Sequence, residues 1–174
     1  MVGVKLTMAF SYGFEPIGAE KPKLLILGSM PGQASLEAHQ YYAHPRNAFW
    51  PIMADILAID INDSYSERCE ALAVAGVMVW DVIAHCEREG SLDSSIKGNA
   101  LQVNDFTFLQ EACEIAVLCN GGKAYELFVK QVVKPLAITN SVYKLPSTSP
   151  AYAAKTLQSK KADWNEVFVQ ELSL

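Results

Sequence analysis

Four short apolar runs, each separated from the next by helix-like stretches, do most to limit what this chain can become. KLLILGS (residues 23–29), GVMVWDVI (76–83) and EIAVLCNGG (114–122) are nearly unbroken, the pattern of strands covered on both faces in a parallel sheet. SVYKLPSTSP (141–150) is the fourth and alternates more. Apolar residues recur at helical spacing in 47–58, 64–75, 104–113, 122–133 and 153–172, with Asn47, Ser64 or Ser66, and Asn104 as N-cap candidates. Strands alternating with helices predict an α/β fold: three layers, α/β/α, around a central, mostly parallel sheet of about four strands, with right-handed crossovers. Residues 1–22, polar and broken by Gly and Pro, read as an extended lead-in. Residues 84–103 form the longest stretch without a clear period, and long loops of this kind are often functional. No repeat, low-complexity tract or linker divides the chain, so one domain spanning 1–174 is expected.

Composition narrows the function classes. A net charge of −5 means that a nucleic-acid partner must be met by a local basic patch rather than by a basic protein. The four cysteines, Cys69, Cys86, Cys113 and Cys119, form no CxxC pair and have no histidine at zinc-like spacing, so neither a metal site nor a cofactor is expected. There is no charged leader followed by a long apolar run, and no apolar stretch nears the ~20 residues that span a bilayer. A cytoplasmic monomer with no membrane attachment is the expectation.

In open parallel sheets, ligands bind outside the carboxyl ends of the strands. Two segments end strands with special residues. GSMPG (Gly28, Ser29, Met30, Pro31, Gly32) can turn tightly and aim backbone N–H groups at an anion or a carbonyl oxygen, or it is a plain strand-to-helix connection. LPSTSPAY (145–152) brackets Ser147, Thr148 and Ser149 between two prolines; the hydroxyls can bond phosphate oxygens, or cap the last helix. A third segment, YYAHPRNAFW (41–50), crowds aromatic rings, a cation and an amide around one proline. Tyr42 or Phe49 can stack on a planar ring, Asn47 can orient a water or bond a base edge, and His44 and Arg46 can meet phosphates; Trp50 reads as core. Asp81, inside a buried strand, is a weaker candidate for a paired or functional carboxylate. His85 and Cys86 would need to face one pocket to act as a nucleophilic pair. The lysines of the last helix read as a solvated face.

Taken together, LLILGSMPG, YYAHPRNAFWPI, CNGGKAYELF and LPSTSPA resemble the uracil-DNA glycosylase superfamily over nearly the whole chain, and most of all its hypoxanthine-DNA (deoxyinosine) glycosylase branch. The resemblance implies a monofunctional enzyme acting on DNA that contains deaminated bases. It would flip the base out of the stack and hydrolyse its N-glycosidic bond, leaving an abasic site. The mismatch-specific uracil glycosylases of this superfamily carry Asn where this chain has Met30, which shifts the catalytic role to Asn47. The resemblance further implies a base pocket of Gly28, Ser29, Met30, Pro31, Gly32, Tyr42 and Phe49. DNA contacts would come from His44, Arg46, Ser147, Thr148, Ser149 and Ala151, with Ala151 or Tyr152 as the wedge. A uracil-preferring glycosylase, a non-catalytic damage-binding module of the same fold, and an α/β enzyme of small molecules are the competing readings.

Overall fold

The computed structural model describes residues 9–88 and 101–173. All four apolar runs are strands of one sheet: β3 (Leu24–Gly28), β4 (Val77–Asp81), β7 (Ala116–Asn120) and β8 (Val142–Leu145). The sheet order is β2-β4-β3-β7-β8, and β4, β3, β7 and β8 run parallel. The fifth strand, β2 (Ile17–Gly18), comes from the supposed lead-in and pairs antiparallel with β4. A side chain at Gly18 is forbidden by its neighbours: φ is 90°, and a Cβ there would lie 2.1 Å from the carbonyl oxygen of Val77. That contact explains how so short an edge strand lies so close to β4.

The lead-in also supplies β1 (Ala9–Tyr12), the edge of a second, antiparallel sheet ordered β1-β5-β6, with β5 at Ile83–Arg88 and β6 at Gln102–Val103. The run expected as one strand over 76–83 therefore ends at Asp81, and the chain crosses into the small sheet through Val82. Residues 89–100 of the aperiodic stretch lie outside the described residues.

Alternation along β3 divides the core. Leu24 and Ile26 face one layer with Phe49, Trp50, Ile52, Leu72, Trp164 and Phe168, drawn from α2 (Phe49–Leu57), α3 (Tyr65–Val74) and α6 (Leu157–Leu172). Leu25 and Leu27 face the other with Ile83, Phe106, Leu109, Phe128 and Val132, on the side of α4 (Gly122–Phe128) and the small sheet. The result is the expected three-layer α/β/α sandwich with five strands rather than four.

Helix ends differ from expectation for local reasons. Over 104–113 only a 3₁₀ turn forms, Thr107–Gln110. Asn104 does not cap it: its amide donates to the Asp81 carbonyl at 2.9 Å, while Asp105 holds the backbone N–H and hydroxyl of Thr107. The stretch 122–133 is α4 followed by a π turn at Val129–Val133 and the short α5 (Lys134–Leu136), which contains Pro135. Pro135 lacks the N–H that would extend a regular ladder. The last helix starts at Leu157 because Thr156 caps it through Ser159. The capping role offered for the serine loop thus falls to Thr156.

Candidate active site

Parallel register sets the carboxyl ends of four strands side by side. Gly28 pairs with Asp81 and Asn120 with Leu145, so the floor runs from Asp81 through Gly28 and Asn120 to the loop 146–152. Above it opens a cleft of about 790 Å³, a size suited to a small planar ligand with part of its chain. Gly28 to Gly32, Tyr42, His44, Asn47, Ser147 to Ser149 and Ala151 all line it. Three segments far apart in the chain therefore meet at one mouth.

Gly28 has a specific task. A Cβ on it would lie 2.3 Å from Oδ1 of Asp81 and 3.3 Å from the hydroxyl of Tyr42. Only a glycine leaves room for the carboxylate and the phenol to close on the end of β3. Asp81 is 3% exposed. Burial, and next the Asp81 carboxylate, hold the neighbouring Tyr41 phenol well above the usual tyrosine range, so it stays neutral. Beyond Gly28, the backbone N–H groups of Val82 and Ile83 donate to the Gly28 and Ser29 carbonyls, tying the GSMPG turn to the crossing between the sheets. Met30 lines the cleft, while its sulfur accepts from the Cys86 thiol at 3.2 Å.

The segment 41–50 is a chain of small turns. Tyr42 adopts a left-handed backbone, φ 56°. The Ala43 N–H donates to the Ser35 hydroxyl, the Arg46 N–H to Nδ1 of His44, and the Asn47 N–H to the His44 carbonyl. Oδ1 of Asn47 accepts the N–H of Phe49 at 2.9 Å. Asn47 therefore stands one residue ahead of the cap position, which Ala48 occupies, and still holds the first turn of α2. With Oδ1 committed to the backbone, its NH₂ is the group left to donate towards the cleft.

Two residues expected to touch a ligand do not line the cleft. Phe49 is fully buried and stacks under Tyr42, with ring centroids 4.1 Å apart and planes 22° apart. It backs one face of Tyr42. Arg46 is exposed and outside the lining. Thr148 lines the cleft but is 1% exposed and fully engaged. Its N–H donates to Oδ1 of Asn120, its hydroxyl accepts from Nδ2 of Asn120, and its carbonyl accepts the Ala48 N–H, each at 2.9 Å. Thr148 is thus a bracket joining β7, the serine loop and the start of α2. Ser147 and Ser149 accept the N–H groups of Ser149 and Ala151, and each hydroxyl keeps its proton for another acceptor.

Sequence reasoning missed Asn120 and Lys160. Asn120 ends the third apolar run as Gly28 ends the first, and the strand-end rule that picked out GSMPG applied to it equally. Removing this amide leaves two polar groups of a buried Thr unpaired; Asn120→Ala is expected to cost about 1–3 kcal/mol in denaturant unfolding, with no change in m-value. Lys160 is 5% exposed, against the expected solvated face. It lies four residues before the buried Trp164, on the stripe continued by Val167 and Phe168, and that spacing was its signal. Lys155 and Lys161 do behave as surface residues, pairing with Asp163 and Asp55. Burial raises the Cys119 thiol to about 12, so it stays protonated. His85 and Cys86 diverge: His85 pairs with Gln102 beside Tyr12, whereas Cys86 points into the core. They form no nucleophilic pair.

The chain is thus a three-layer α/β/α protein whose cleft, lined by an amide, an aromatic ring and two turn loops, opens at the carboxyl ends of its parallel strands. Comparison with known proteins narrows that class. The family model described as "Uracil DNA glycosylase superfamily" matches residues 15–173. A hypoxanthine DNA glycosylase of Methanosarcina barkeri (strain Fusaro / DSM 804) is 35% identical over 159 residues, 90% of this chain and 96% of that protein. One from Methanosarcina acetivorans is 31% identical over the same shares. The solution NMR structure of a protein provisionally described as a uracil DNA glycosylase, also from Methanosarcina acetivorans, superposes with a TM-score of 0.76 at 29% identity, covering 95% of this chain and all of the other. This chain belongs to the uracil DNA glycosylase superfamily. Among the described residues no helix is long and apolar enough to cross a membrane.

Proposed function

We propose that this protein excises a deaminated base from DNA, with hypoxanthine the preferred one, by hydrolysing the N-glycosidic bond and leaving an abasic site. The observation that carries the reading is the convergence of Asn47, the GSMPG turn and Tyr42 on one cleft. The names of the two relatives, each matched over 96% of its length, support hypoxanthine.

A base in a duplex must leave the stack before a protein group can reach the bond. Tyr42, backed by Phe49, offers a ring face for it, and base–aromatic stacking is worth about 1–3 kcal/mol. As the bond breaks, the sugar gains positive charge and the base leaves as an anion. Backbone N–H groups of the GSMPG turn would bond that anion best in the transition state, each worth about 2.7–4 kcal/mol by analogy with oxyanion-hole donors. The Asn47 amide is a weak base, so its part is to orient the water or hold the base edge. Ser147, Ser149 and His44 would take the flanking phosphates. Arg46, exposed beside this mouth, suits a phosphate further along the strand.

The test is excision from labelled duplexes carrying one deoxyinosine or one deoxyuridine, read after alkaline cleavage of abasic sites. Faster product from deoxyinosine is the expected result. Product from deoxyuridine alone would assign the protein to uracil, and DNA binding without product would make it a damage-binding module.

A further inference from the structure

The buried lysine behind the serine loop has no part in the chemistry above. Nζ of Lys160 donates to the carbonyl oxygens of Tyr152 at 2.9 Å and Ser149 at 3.4 Å, and lies 5.2 Å from the ring centre of Tyr152. The nearby Lys155 and Lys161 meet carboxylates, whereas Lys160 is met by carbonyls and a ring face. Burying an ammonium among neutral groups is costly, and burial lowers its pKa below the usual lysine range. A hydrophobic residue at this place on the α6 stripe would pack against Trp164 without that cost.

It holds half-buried Ser149 and exposed Tyr152, on either side of exposed Pro150 and Ala151. Ala151 and Tyr152 project from the rim of the cleft. Within the loop itself, the bonds between 149 and 152 are short-range: Ala151 N–H to the Ser149 hydroxyl and Tyr152 N–H to the Ser149 carbonyl. Lys160 reaches these residues from α6. Thr148 anchors the loop at its near end, and Lys160 adds a second anchor at 149 and 152 ahead of the turn into α6. We propose that Lys160 is a positioning residue that holds residues 149–152 in the shape that enters duplex DNA, with its positive charge favouring the phosphate beside that loop. This rests on the reading of the protein as a base-flipping glycosylase.

The role predicts a difference between duplex and single strand, because only a paired and stacked base needs a rigid projection to replace it. Lys160→Met and Lys160→Gln should lower excision of deoxyinosine from a duplex at least tenfold, and from a single strand less than threefold. Lys160→Arg should recover part of the duplex rate. In the absence of DNA, backbone amides of 149–153 should exchange at least tenfold faster in Lys160→Met, with those of β3 and β7 unchanged. Affinity for a duplex with a stable abasic-site analogue should fall along with the duplex rate. Equal losses on duplex and single strand, or unchanged exchange at 149–153, would overturn the proposal. If the wild type excises nothing, the glycosylase reading fails on its own; the exchange and abasic-duplex affinity measurements still decide the role of Lys160. Gln retains a donor, so it keeps the test open if the Met variant does not fold.

Discussion

Replacing Asn47 by Ala is expected to lower single-turnover excision by about 10²–10³-fold, the range seen when one donor to a developing charge is removed. The same change removes the bond from Oδ1 to the Phe49 N–H, and loss of a helix-start bond costs about 1 kcal/mol. A deficit of that size shifts the melting temperature of a domain this long by a few degrees. Activity and stability therefore separate: a large kinetic loss with a small thermal one. Asn47→Asp sharpens the test. Its carboxylate still accepts the Phe49 N–H, so the turn survives, but the NH₂ donor is gone and a negative charge faces the leaving anion. It should be more stable than Asn47→Ala, and as inactive if Asn47 acts as a donor to the base edge. Wild-type excision rates in Asn47→Ala would remove Asn47 from the mechanism, whereas activity kept in Asn47→Asp alone would assign it to orienting the water through an acceptor oxygen.

The second large effect is expected at Gly28. Gly28→Ala places a methyl 2.3 Å from Oδ1 of Asp81 and 3.5 Å from its Cγ. The carboxylate is 3% exposed and has little room to retreat, and overpacking of this kind costs about 1–3 kcal/mol. The displaced carboxylate and the Tyr42 hydroxyl would move the floor of the cleft. A shift of about 1 Å in a reacting geometry is worth roughly 10²-fold in rate. Gly28→Ala should thus lose both stability and activity, in contrast to Asn47→Ala. Urea unfolding alongside single-turnover assays distinguishes the two patterns, and near-normal rates in a folded Gly28→Ala would show that this contact does not shape the site.

The parallel strands were legible because a run such as LLILG has one physical use at this length, burial on both faces. The crossing at Val82 was not, because GVMVWDVI carries no break: Asp81 and Val82 change sheets without Gly or Pro to mark it. β1 and β2 were hidden by their brevity and by partners far along the chain, since pairing of Ile17 with Val79 leaves no local pattern. At the site, GSMPG and Asn47 could be read from turn chemistry. Phe49 could not be separated from Tyr42 by residue type, because both are rings near a helix start and only packing decides which is covered. Thr148 and Ser147 likewise share a short polar loop, yet one points at Asn120 and is sealed. Lys160 was misread because charge was weighed above its position on the α6 stripe.

The three bonds of Thr148 have a consequence for how the molecule comes apart. Local opening follows groups that hold each other in place, and Thr148 links the end of β7, the loop after β8 and the first turn of α2 through Asn120 and Ala48. Those segments belong to the central sheet and to the helix layer packed on it. Fraying that begins at either terminus can spare all three, whereas separating any one of them disrupts the others. The mouth of the cleft is thereby tied to the central sheet, and it is expected to persist until those segments separate.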